Sequence, residues 1–236
     1  MERLDKIIAS QGQYSRSEVK KLVKAGLVTL DGVTVKSSDV KADPKKSVIT
    51  IDGKPLFYQK YVYIMLNKPK GVVSATTDND HKTVIDLVPK EMYRDGLFPA
   101  GRLDGDTTGF VLITDDGDFA HRILSPKNHI MKTYHATLKR NLFDDEYDKF
   151  KNGIVLSDGT VCLESTVKML QNEPPVCEIR ICEGKYHQVK RMFASTGNKV
   201  LDLKRVKMGG LSLDESLAEG ECRLLTDEEV EAIEKK

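Results

Sequence analysis

The stretch Ala100 to Asp118 reads AGRLDGDTTGFVLITDDGD and concentrates groups able to do chemistry. One carboxylate, Asp104, stands at a Gly-Arg-Leu-Asp turn just ahead of an apolar run, Phe110 to Thr114, with the make-up of a strand. Gly105 and Gly109 accompany it, with more carboxylates close behind. A polar, glycine-rich loop fastened to an apolar strand is how a fixed side chain is held toward a ligand. The plain alternative is a solvated hairpin turn, for which Asp and Gly are the usual residues. Two more clusters set polar groups beside an apolar element: Lys132-Thr-Tyr134 and Glu183-Gly-Lys-Tyr-His-Gln-Val-Lys-Arg-Met192. In the second, Lys185, His187, Gln188, Lys190 and Arg191 open a helix whose packing side is Val189, Met192 and Phe193.

The same acids admit other chemistries. Asp104, Asp106, Thr108, Gly109 and Asp115 fall at the first, third, fifth, sixth and twelfth places of a calcium loop. That loop calls for a Glu at its last place and helices on both flanks, which Pro99, Gly101 and the strand-like Phe110 to Thr114 oppose. Asp104 and Asp106 as a carboxylate pair would suit a glycosidase. His121, His129 and His135 are not spaced as a metal set, and Cys162, Cys177, Cys182 and Cys222 form no CxxC pair. No metal site is expected, and the thiols should be free and buried in a reducing compartment.

Leu4, Ile7 and Ile8 have helical spacing that closes near Gly12. Ser15 and Glu18 form a capping box for a second helix, with Val19, Leu22 and Val23 as its buried stripe and Gly26 as its stop. Arg16, Lys20 and Lys24 recur every fourth residue and make one basic row along that helix. A charged row is ordinarily a wet face, but Glu18 is the only acid among these residues, which favours phosphate contact. Asp31-Gly32 joins two short strands between Leu27 and Val35, and another strand is expected over Val48 to Ile51. Lys and Arg total 37 against 36 Asp and Glu, yet residues 1–60 hold twelve bases against seven acids. The charge asymmetry points to a basic contact module in front and an acidic tail from Asp214 onward.

A second part begins near Tyr61-Val-Tyr-Ile-Met-Leu66. Strands are expected over Val72 to Ala75, Phe110 to Thr114, Lys132 to Leu138, Val161 to Met169 and Val176 to Cys182. Helices are expected over Asp118 to Leu124, Asp144 to Lys151, Gln188 to Ser195 and from the Thr226–Glu229 capping box onward. Strands this close together favour an antiparallel sheet in an α+β arrangement. The expected domains are 1–59 and 60–236. No apolar run approaches the roughly 20 residues of a membrane helix, and the amino terminus has no leader pattern, so a soluble cytoplasmic protein is expected.

The first part resembles an S4 domain, a small RNA-binding module, through Arg3-Leu-Asp-Lys-Ile7, Ser15-Arg-Ser-Glu18 and Val28 to Val35. The second closely resembles the RsuA-type rRNA pseudouridine synthases. The blocks that carry this are Leu66-Asn-Lys-Pro-Lys-Gly71, Gly101-Arg-Leu-Asp104, Asp106-Thr-Thr-Gly109, Thr114-Asp-Asp-Gly-Asp118, His121-Arg-Ile-Leu-Ser-Pro126, Lys132-Thr-Tyr134 and His187-Gln-Val-Lys-Arg-Met192. Together with the front module the likeness spans nearly the whole chain in order.

What the resemblance implies is isomerisation of a uridine to pseudouridine, on small-subunit (16S) rRNA by the closeness of the Thr114 to Tyr134 block. A large-subunit target and a non-catalytic rRNA-binding assembly factor are the competing readings. The reaction breaks the C1′–N1 bond, turns the uracil and joins C5 to C1′, so no cofactor is expected. Asp104 matches the catalytic aspartate, as nucleophile at C1′ or as base at the 2′ position. Burial alone would raise a carboxylate's pKa, and Lys190 falls where the family pairs a base with the aspartate, with Arg191 as the lesser candidate. Tyr134 matches the tyrosine that stacks on the uracil. Arg102 is expected either to hold the RNA backbone or the flipped-out state, or to form a structural salt bridge. Lys68 and Lys70 lean toward RNA contact. The partner implied is ribosomal RNA or a pre-ribosomal particle, met by a monomer without membrane contact.

Overall fold

The computed structural model describes residues 1–235. It divides into two compact units, Met1–Val62 with Val88–Leu97, and Tyr63–Leu87 with Phe98–Lys236.

The first unit runs β1 (Glu2–Arg3), α1 (Leu4–Ala9), α2 (Arg16–Lys24), β2 (Val28–Leu30), β3 (Val33–Thr34), β4 (Lys41–Ala42), β5 (Ile49–Ile51) and β6 (Lys54–Pro55). The α2 capping box forms as its residues dictate: the Glu18 amide donates to Ser15 Oγ, and the Ser15 amide to the Glu18 carboxylate at 2.7 Å. Asp31 and Gly32 both take left-handed φ, the geometry a two-residue hairpin needs, so β2 pairs antiparallel with β3 and, on its other edge, with β5. Leu4, Ile7, Ile8, Val19, Val23, Val28, Ile49 and Ile51 make one buried core. Leu22 is only partly buried. Arg16, Lys20 and Lys24 run along α2 beside the Val19–Val23 stripe, and all three are exposed. Arg94, buried, donates to the carbonyls of Gln59 at 2.8 Å and Lys60 at 2.9 Å, which fastens residues 88–97 to this unit.

The second unit is built on β7 (Tyr63–Lys68), β8 (Phe98–Pro99), β9 (Thr108–Thr114), α3 (Gly117–Leu124), β10 (Lys132–Leu138), α4 (Asp144–Asn152), β11 (Thr166–Asn172), β12 (Pro175–Ile181), α5 (Gln188–Ser195), β13 (Val200–Met208), β14 (Leu211–Ser212), β15 (Cys222–Leu224) and α6 (Asp227–Ile233). The sheet order is β11-β12-β10-β13-β9-β7-β15, with β14 on β13 and β8 on β9. Its pairs are antiparallel except β13 with β9. Those two strands approach closely: Gly109 has φ +98°, and a Cβ there would lie 2.2 Å from the Arg205 carbonyl. Phe119, Ala120 and Ile123 of α3 and Ile233 of α6 cover one core with Phe110, Leu112 and Met208. Phe150 of α4 and Phe193 of α5 meet in another contact, ring centroids 4.9 Å apart.

Most expected elements form, two strands differ, and β13 with the short strands β1, β4, β6, β8, β14 and β15 lies outside the expected set. Val72 to Ala75 is not a strand; only Val73 bridges, to Thr83, and the Ser74 hydroxyl bonds the backbone of Leu103. The strand expected from Val161 begins at Thr166, since Val161 bridges Val155 and the Cys162 amide turns back to Ile154. Residues 200–208, with Asp202, Lys204, Arg205 and Lys207 among them, form the long strand β13 inside the sheet. Cys162, Cys177 and Cys182 are buried free thiols, and Cys222 is half-buried. No helix among the described residues is long and apolar enough to cross a membrane.

Candidate active site

Asp104 sits in the loop that leads into β9, and three segments fix that loop. The Lys68 ammonium, at the end of β7 and wholly buried, donates to the carbonyls of Thr107 at 2.8 Å, Pro69 at 3.0 Å and Gly105 at 3.3 Å. The Gly71 amide donates to the Gly105 carbonyl at 2.8 Å, and the Leu103 amide to Ser74 Oγ at 3.0 Å. Lys68 therefore does not face RNA as expected; it is an internal staple. Burial pushes its pKa down to about 8, with Asp106 and Asp104 opposing that shift. Lys70 remains on the surface, paired with Asp202 at 2.6 Å.

Helix α5 supplies the groups facing Asp104. His187 caps it in a left-handed conformation (φ 47°, ψ 34°), which costs a non-glycine residue about 1–2 kcal/mol. Its Nε2 lies 3.4 Å from Asp104 Oδ1, and the ammonium of Lys190, in the first turn, lies 3.3 Å from Oδ2. Each carboxylate oxygen thus has its own nitrogen, at the end of a helix whose peptide dipoles also favour negative charge. Lys190 reaches Asp106 as well, at 2.5 Å, and this hydrogen bond, more than the accompanying charge attraction, holds Asp106 below the ordinary carboxylate range.

The loop before α5 is braced from behind. Gln188 donates to Glu183 at 2.7 Å and accepts from the Lys185 amide at 2.8 Å, while Glu183 also pairs with the Lys185 ammonium. Glu183 accepts from the Leu163 amide at 2.9 Å.

Register places the tyrosine. Tyr134 of β10 pairs with Ile179 of β12 and Arg205 of β13, and Ala136 pairs with Leu203. Because side chains alternate along a strand, Tyr134 shares a face with Ala136, opposite to Thr133 and His135. On that face Tyr134, Ile181 and Leu203 meet Asp104, Arg102, Thr107, His187, Gln188 and Lys190 around a small cavity of about 70 Å³. Tyr134 is buried, and the Asp104 side chain is 29% exposed. A carboxylate in such a setting can attack or deprotonate a small planar ligand lying against the ring.

The expected Asp104, Tyr134, Lys190 and Arg102 are therefore gathered at one cavity. Arg191 is directed elsewhere: it binds Asp158 at 2.5 Å and the Tyr186 carbonyl at 3.3 Å. The row Arg16, Lys20 and Lys24 belongs to the first unit. The sequence assigns His187 no role at Asp104, and Asp106, though part of a family block, has a chemical role there only in the calcium and glycosidase alternatives. Spacing could have found His187, which stands three residues before Lys190 at the mouth of the same helix. The calcium alternative fails because the strand β8 stands where its leading helix should be and the strand β9 occupies seven of its twelve loop positions. Nor do Asp104 and Asp106 face each other across a gap; they share the Lys190 ammonium.

Residues 62–195 match the family model described as RNA pseudouridylate synthase, and residues 2–46 match the S4 domain. An RNA pseudouridine synthase of Bacillus subtilis (strain 168), YtzG, described as uncharacterized, is 45% identical across 98% of both chains. The ribosomal small subunit pseudouridine synthase A of Escherichia coli (strain K12) is 43% identical over 98% of this chain and 99% of its own. That of Yersinia pestis is 44% identical over 98% and 97%. A crystal structure of a pseudouridylate synthase superposes with a TM-score of 0.68 at 39% identity, covering 99% of this chain and all of the other. With the family model spanning more than half its length and relatives matching it end to end, the chain belongs to the RNA pseudouridylate synthases and carries an S4 domain at its amino end.

Proposed function

We propose that this enzyme converts one uridine of small-subunit ribosomal RNA to pseudouridine, with Asp104 as the catalytic carboxylate. The observation that carries the reading is the Asp104 carboxylate held by His187 and Lys190 at a cavity walled by Tyr134. The target is supported by the end-to-end likeness to relatives named for the small subunit.

In the reaction the C1′–N1 bond breaks, the uracil turns, and C5 bonds to C1′. C5 gives up its proton and N1 gains one, so atoms balance without oxidant or donor. One ionised Asp104 oxygen serves whether it attacks C1′ or takes the 2′ proton, and Lys190 and His187 aim it. Tyr134 lies against the uracil face and keeps the base in place as it turns. Arg102, at the cavity rim, holds the backbone of the extruded nucleotide. C1′ cannot exchange its partner atom inside a stack, so the uridine must be flipped out, most cheaply from a loop or unfinished fold. The natural partner is accordingly a pre-ribosomal particle, met in the cytoplasm by a monomer. Segment 1–59 grips phosphates through Arg16, Lys20 and Lys24, and segment 60–236 does the chemistry.

Mapping pseudouridines in cellular rRNA with and without the gene product tests this. One small-subunit position should lose its modification. Loss at a large-subunit position would reassign the target, and an unchanged map would remove the proposal.

A further inference from the structure

Tyr186 is conspicuous because the residue is 71% exposed although it stands beside the site. One face is occupied: the His187 imidazole stacks on it, with centroids 3.8 Å apart and planes 19° from parallel. The same His187 reaches Asp104. The backbone beneath Tyr186 is fixed, its carbonyl bound by Arg191, which Asp158 anchors in turn. On either side, Lys185 is tied to Glu183 and Gln188, and Gln188 to Glu183.

We propose that the open face of Tyr186 is a stacking platform for an unpaired RNA base next to the target uridine. An exposed ring on a mobile loop would forfeit entropy on binding a ligand. A ring already held flat by His187 on a clamped loop forfeits little. Aromatic faces accept any base, because recognition is by stacking rather than by hydrogen bonds. The proposal deepens the reading given above and rests on it for the identity of the substrate as RNA.

The chain has no tryptophan, so Tyr186→Trp introduces a single fluorescent reporter at the platform. Titrated with a short single-stranded oligouridylate, its emission should be quenched. A backbone of equal length made of abasic nucleotides should leave it unchanged. In parallel, Tyr186→Leu should raise KM for small-subunit rRNA about tenfold with kcat within about twofold of wild type, while Tyr186→Phe keeps the wild-type KM. Absent quenching, equal quenching by the abasic strand, or equal KM for the Leu and Phe variants would each overturn the platform. Wild-type enzyme that leaves small-subunit rRNA unmodified would contradict the proposed function instead, and the fluorescence result would still decide the platform.

Discussion

A carboxylate used as nucleophile or base must be ionised and aimed at once. Asp104 is aimed by contacts from a single helix turn, His187 on one oxygen and Lys190 on the other. Lys190 is shared, and its shorter contact is to Asp106, so the ammonium is set by a pair of carboxylates rather than by one. Removing its charge should leave Asp104 without its cationic partner. Lys190→Met is expected to lower kcat about a hundredfold with little change in KM, whereas Lys190→Arg should recover much of the loss. Single-turnover rates at saturating RNA check this. Equal kcat for wild type and Lys190→Met would mean that Lys190 serves only the surface.

At the scale of elements, the site depends on how the Asp104 loop is pinned to the end of β7. Lys68 does this from the interior, and its depressed pKa gives the staple a pH signature. The unfolded chain holds that proton until near the ordinary 10.5, but the native chain releases it near 8. Between those values the unfolded state binds more protons, so native stability rises as the solution is made more alkaline. Relative to Lys68→Met, wild-type unfolding free energy should therefore rise by about 2–3 kcal/mol from near-neutral pH to about pH 10. Urea unfolding of both proteins reads the difference, and parallel pH curves would contradict a buried titrating lysine.

Much at this scale could be read beforehand, because strong local signals set it. The Ser15–Glu18 and Thr226–Glu229 boxes, the Asp31-Gly32 turn, and the limits of β10 and α5 follow from capping, turn chemistry and periodicity. Strand β13 escaped because its Asp202, Lys204, Arg205 and Lys207 look like a wet surface. In the fold Arg205 is buried and donates to the Phe110 carbonyl, a partner far away in sequence. Lys68 was misread for the same reason: nothing local shows that three carbonyls surround its ammonium. The contacts of Lys190 were legible through family resemblance alone, since residue spacing does not tell which loop will face α5.

For the whole molecule, near-zero net charge conceals a basic front and an acidic end. The exposed row on α2 is suited to backbone phosphates without regard to sequence. Reversing Arg16, Lys20 and Lys24 to Glu should weaken rRNA binding and reduce the slope of log affinity against log salt by about 2, while kcat at saturating RNA is unchanged. Filter binding across a salt series provides both quantities. An unaltered slope would place the RNA on another surface. Segment 88–97 joins this front unit through Arg94, a connection that no sequence motif announces.

The central claim is that one side chain, Asp104, makes and breaks the bonds at the ribose. Its most direct test is pseudouridine formation on small-subunit rRNA by Asp104→Asn, with RNA affinity measured on the same preparation. Asp104 as the bond-making group predicts wild-type affinity and no detectable product. Product formed at the wild-type rate would contradict it.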